Sequence, residues 1–84
     1  SISIPKLPVC TTEEGIEIIK TNMNKLNDWK NIFEIIPKKF KKSSNLKKSG
    51  IAGLFAACLE LTREGLITIM QKKVFDKLLI KEKK

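Results

Sequence analysis

Residues 44–81 constrain this chain most, because they read as one long helix feeding a β-hairpin. In the helix, expected over residues 45–64, Ile51, Leu54, Phe55, Cys58, Leu59 and Thr62 recur at i, i+3, i+4, i+7, i+8 and i+11. That is one continuous apolar stripe of helical period. Gly65 stands where helices often stop in the left-handed conformation. The next run, Leu66-Ile67-Thr68-Ile69-Met70-Gln71, is rich in β-branched residues, and a charged turn leads to Lys77-Leu78-Leu79-Ile80-Lys81. Alternation puts Ile67 and Ile69 on one face, with Leu78 and Ile80 as partners, and leaves Met70 and Leu79 facing away.

The preceding residues supply what could cover the stripe. Thr11-Thr12-Glu13-Glu14 is a capping-box pattern, and its acids suit a helix N-terminus. A first helix over residues 12–26 then carries Ile16, Ile19, Met23 and Leu26 on one face. Asn27-Asp28 ends it and caps a short second helix, residues 29–36, with Trp29, Ile32, Phe33 and Ile36 able to point inward. Pro37 stops that helix. Residues 38–48 form a basic loop around Phe40, and Ser43, Ser44 or Asn45 caps the long helix. Helix, helix, long helix, strand, turn, strand is the order of a winged helix. We therefore expect a mainly α fold with a small β-hairpin: three helices plus a C-terminal two-stranded wing. The strand that such folds usually place between the first two helices has poor support near residues 27–29. The expected core is Ile16, Ile19, Trp29, Phe33, Ile51, Leu54, Phe55, Cys58, Leu59, Ile67 and Ile80. Residues 1–10 read as an extended arm, because Pro5 and Pro8 forbid a central strand. The domain proper spans 11–81, and 82–84 is a basic tail.

The 84 residues make one small domain, burying only about 60–65% of its unfolded surface. No run reaches the roughly 18 apolar residues of a membrane helix, and no signal-peptide pattern is present. The chain begins with Ser rather than Met, so we read it as a segment of a longer protein. Cys10 and Cys58 have no motif spacing. Cys58 falls in the helical stripe and reads as a small core residue, a use of thiols that suits a reducing compartment, with a disulfide between the two as the alternative. The chain has no His and no Tyr, and its only Asp residues are Asp28 and Asp76. It holds no phosphate-cradling Gly loop and no zinc ligand set. We expect neither catalysis nor a cofactor nor a metal.

The net charge is +8, but it is localised. Lys38, Lys39, Lys41, Lys42, Lys47 and Lys48 face no acid within residues 37–48, and residues 81–84 hold three Lys and one Glu. The rest of the chain carries eight basic and eight acidic residues. The charge belongs to a loop and a tail. The loop lysines are candidate phosphate contacts; a plain solvated connection is the alternative. Sequence reading by the long helix is disfavoured. Its outward arc should carry Ser49, Ala52, Ala56, Glu60 and Arg63, which offers one long donor and one repulsive acid where base recognition needs several donors. Any DNA binding should be weak, non-specific and salt-sensitive.

The same helix has a second face. Leu46, Gly50, Gly53, Ala57 and Leu61 lie at i, i+4, i+7, i+11 and i+15. Glycine inside a helix costs about 0.5–1 kcal/mol against Ala, so two on one side suggest close approach by another backbone. That backbone could be the first helix or the arm. It could also be a partner protein, with Met70 and Leu79 adding apolar area.

Residues 50–71, GIAGLFAACLELTREGLITIMQ, are similar to the C-terminal segment of the segregation and condensation protein A (ScpA) family, the bacterial kleisins. The resemblance rests on Leu59-Glu60-Leu61, Arg63, Gly65, Gln71, Phe75 and the apolar run from Leu78 to Ile80. Asp28-Trp29, Ile32-Phe33 and Pro37 extend it upstream. The turn departs from the family pattern: Lys72-Lys73-Val74 replaces acids and a Pro before the Phe, and Asp76 follows where Gly is common. The resemblance implies a non-enzymatic, cytoplasmic, nucleoid-associated role in chromosome segregation and condensation. In that family the C-terminal winged helix docks on the ATPase head of Smc, and ScpB binds regions not in this chain. On that basis Leu46, Gly50, Gly53, Ala57, Leu61, Met70 and Leu79 are the expected docking face. Non-specific DNA binding through the Lys-rich loop and tail is the alternative.

Overall fold

The computed structural model describes residues 9–73 and 77–83. Helix α1 spans Thr12–Thr21, and the Thr11 hydroxyl accepts the Glu14 N–H at 3.0 Å, as the capping pattern requires. The helix stops five residues short of the expected end. Asn22 halts it: the Asn22 backbone N–H folds back on the Ile18 and Ile19 carbonyls, and its side-chain amide donates to Ile18 O at 2.7 Å. A short polar side chain that competes for backbone groups is a helix breaker. A 3-10 turn, Met23–Lys25, then brings Leu26 into the core.

The expected second helix is not formed. Lys30–Asn31 is instead a short strand, β1, followed by 3-10 turns at Ile32–Glu34 and Lys38–Lys41. Asn31 directs this outcome. Its side chain accepts the Phe33 N–H at 3.0 Å while Glu34 returns to the Asn31 N–H at 3.1 Å, a capping box on a turn too short to propagate. The Ile32 N–H donates to Leu78 O, which ties the segment to the sheet. Phe40, inside the basic segment, is 1% exposed.

Helix α2 spans Ser44–Arg63, capped by the Ser43 hydroxyl on the Leu46 N–H. It ends as expected at Gly65, with φ +79°. The Leu66 N–H reaches Leu61 O and the Gly65 N–H reaches Thr62 O, both at 3.0 Å, which is the Schellman closure. Strands β2 (Ile67–Met70) and β3 (Leu79–Glu82) follow. The described residues thus form two α-helices and a three-stranded antiparallel sheet of order β1-β3-β2, where three helices and a two-stranded ribbon were expected. Ile69 pairs with Ile80 and Met70 with Leu79. The expected tail is partly built in: Glu82 ends β3 and donates to Leu26 O, and the Lys83 N–H donates to Leu66 O.

The phase of α2 is the largest departure. Its buried residues are Gly50, Gly53, Leu54, Ala57, Cys58 and Leu61. Phe55 and Leu59 are 41% and 49% exposed, and Ile51 is half-buried. The inward face is therefore turned by about 100°, one residue step, from the apolar stripe. The contact with α1 sets this phase. A Cβ on Gly15 would lie 2.5 Å from Gly53 O and 2.9 Å from Ala57 Cβ, so the two helix backbones nearly touch. Trp29 and Phe33, also expected inside, are each 37% exposed, and Ile16 is half-buried. Ile19, Leu54, Cys58, Ile67 and Ile80 lie in the core as expected, joined by Cys10, Leu26, Ile32, Ile35, Ile36, Phe40, Ala57, Leu61 and Leu78.

Candidate interaction surfaces

The small-residue flank of α2 is occupied by the chain itself. Gly50 lies under Ile36 and Phe40, and Gly53 lies under Cys10, where a Cβ would meet the Cys10 carbonyl and sulfur at 2.5 Å. The Cys10 N–H donates to Ser49 Oγ at 3.0 Å, which pins this end of the arm to α2. Ala57 and Leu61 are fully buried and Leu46 is half-buried. The expected docking set therefore divides. Gly50, Gly53, Ala57 and Leu61 are core positions: the first three are small where Ile36 and Phe40, Cys10 and Gly15 come close, and Leu61 fills the core as a large side chain. Met70 and Leu79 pair across the ribbon on the face opposite Ile69 and Ile80, and both are half-buried.

Two other surfaces are open. One is the outward side of α2, where Ala52, Phe55 and Leu59 are exposed beside Ile51, with Lys48 one turn earlier. The expected outward arc is only partly right: Ser49 is taken up by Cys10, and Glu60 pairs with the Arg63 guanidinium. That hydrogen bond holds the Glu60 carboxyl below its ordinary range.

The second is the outer face of the sheet. Thr68 opposes Lys81, and in the β1–β3 register Trp29 falls opposite Lys81 on its other side. The next row is Asn31, Leu79 and Met70. Lys81 Nζ stands 5.9 Å from the Trp29 ring centroid. Lys47 Nζ stands 5.5 Å from that of Phe33.

The six loop lysines do not act as one group. Lys39 is bonded to Glu14 at 2.6 Å and lies over the Phe40 ring, and Lys47 covers Phe33. Lys38, Lys41, Lys42 and Lys48 are exposed along the 3-10 turn and the start of α2. The thiols are buried. Burial pushes the Cys58 thiol up to about 12, and burial, then Glu14, raises Cys10 against an opposing effect of Lys39. Both stay protonated at neutral pH, where a thiol is a poor nucleophile.

Among the described residues no helix is long and apolar enough to cross a membrane. Sequence periodicity missed both open surfaces, because it assigned Phe55, Leu59, Trp29 and Phe33 to the core. A signal existed in Gly15, whose lack of a side chain matches the glycines of α2. Comparison of the chain with protein-family models, characterised proteins and solved structures yields no match. The kleisin resemblance therefore rests on the motif residues alone. Within the motif, Leu61 is core, Gly65 closes α2, and Phe75 lies outside the described residues.

Proposed function

We propose that this chain is a non-enzymatic docking module of winged-helix type, the C-terminal domain of a kleisin, that seats on the ATPase head of an Smc protein. The order helix, short strand, turns, long helix, strand, strand, with β1 and β2 flanking β3, supports the winged-helix reading. The observation that carries docking is the outward face of α2. A helix reading DNA there would present long donors; this one presents Ala52, Phe55 and Leu59. Large apolar side chains held in solvent on a rigid helix suit the anchors of a protein interface. The docking face shifts accordingly, from the small flank to Phe55 and Leu59, while Met70 and Leu79 remain candidates on the sheet. ScpB would bind outside this chain, and the setting would be cytoplasmic and nucleoid-associated.

The test is binding of the domain to a purified Smc ATPase head. Phe55→Arg and Leu59→Arg should each weaken binding by at least about tenfold, the scale of a lost interface anchor, with the fold retained. Head binding unchanged in both variants would remove α2 as the docking element. The runner-up reading, non-specific DNA binding, is favoured by the exposure of Lys38, Lys41, Lys42 and Lys48 together. It calls for duplex binding that falls steeply with salt and ignores sequence.

A further inference from the structure

We propose that Trp29 and Phe33, each with its lysine, form a stacking platform for single-stranded nucleic acid. The two sites are built alike. Trp29, 37% exposed, opens with Asn27, Thr68, Lys81, Glu82 and Lys83 onto a concavity of about 370 Å³. Phe33, equally exposed, opens with Ile36, Lys41 and Lys47 onto one of about 430 Å³. In both, a ring usable as a stacking surface has an ammonium within 6 Å of its centroid. The rings are four residues apart, so their backbones lie within about 14 Å of each other.

The chemistry selects the partner. A single strand offers unstacked bases for the rings and phosphates for the lysines, and such pairing tolerates any sequence. A duplex keeps its bases stacked and has no use for exposed rings. Asp28 accepts the Trp29 N–H and Glu34 accepts the Asn31 N–H, bonds to neutral groups that leave the carboxylate charge in place. With Glu82 these acids offset much of the charge of Lys41, Lys47, Lys81 and Lys83, so ring stacking rather than net charge carries the selectivity. Glu82 lies between Lys81 and Lys83 in sequence. Asn27 and Thr68 supply neutral hydrogen-bonding groups at the rim of the first concavity. The rings of this platform are not the α2 residues Phe55 and Leu59 that carry the docking proposal. Trp29 and Lys81 do share the outer sheet face with Met70 and Leu79, so the α2 variants are the ones that tell the two proposals apart.

Trp29 makes the test direct. It is the only Trp, and the chain has no Tyr, so tryptophan-selective emission reports this ring alone. Titration with an oligothymidylate of about 12 nucleotides should quench that emission saturably. Four lysines at the two rings predict a log–log salt slope of about −3. Phe33→Ala, read through Trp29, should weaken binding by about five- to a hundredfold, as loss of one stacked base does. Far-UV circular dichroism checks that the variant is folded. Inorganic polyphosphate should compete without quenching. Absence of quenching by the oligonucleotide would overturn the proposal. So would equal affinity of wild type and Phe33→Ala, which would leave charge as the only attraction.

Discussion

Gly15 and Gly53 mark a point where α1 and α2 nearly touch, and one methyl group decides between two opposing effects. In an isolated helix, Gly15→Ala would gain about 1 kcal/mol of propensity. Here the new Cβ would sit 2.5 Å from Gly53 O, a backbone atom that cannot rotate away. Overpacking of this kind costs about 1–3 kcal/mol. We expect the clash to win, with Gly15→Ala lowering the urea midpoint; a rise would mean that the helices are not in close contact. At Cys58 the folded thiol is raised to about 12 from an ordinary value of 9.0. The unfolded chain therefore gives up this proton first. Stability is unaffected below pH 9.0 and falls as pH rises from there toward about 12. Lysines titrate in the same window, so the readout is a difference. The stability advantage of wild type over Cys58→Ala should shrink between about pH 8 and about pH 10, and a constant advantage would place this thiol in solvent.

At the scale of elements, signals carried by single polar or special residues were legible. Thr11 starts α1, Ser43 starts α2 and Gly65 ends it, because each places one hydrogen-bonding group or one backbone conformation at a fixed position. The ribbon was legible from its alternation. The α2 phase was not. Phe55 and Leu59 dominate any count of apolar residues, whereas Gly50, Gly53 and Ala57 contribute almost nothing to it. Yet the small residues let α1, Cys10 and Phe40 come close, and closeness governs which face is covered. The second helix failed for a similar reason. Its apolar spacing was adequate, but Asn31 and Glu34 captured each other's backbone neighbourhood and left Lys30 free to pair with Ile80. The candidate site inherits these errors: residues read as a docking face are core, and residues read as core are the open surfaces. Only Met70 and Leu79 kept their place, because a two-residue period along a paired strand has little latitude.

The whole molecule follows from that exchange of faces. An 84-residue chain has little core, and this one fills the α1–α2 contact with glycines while leaving Phe55, Leu59, Trp29 and Phe33 in contact with water. The central physical claim is that α2 buries its small residues and shows its large ones. The most direct test is the melting temperature of two variants measured side by side. Phe55→Arg adds a charge to an exposed position and should shift the melting temperature by no more than about 4 °C, the effect of a surface change of ~0.5 kcal/mol. Ala57→Arg forces a long charged side chain into a fully buried position, at a cost of about 3–5 kcal/mol, and should lower the melting temperature by at least about 12 °C. The reverse order, a stable Ala57→Arg and an unfolded Phe55→Arg, would restore the apolar stripe to the core and contradict the account.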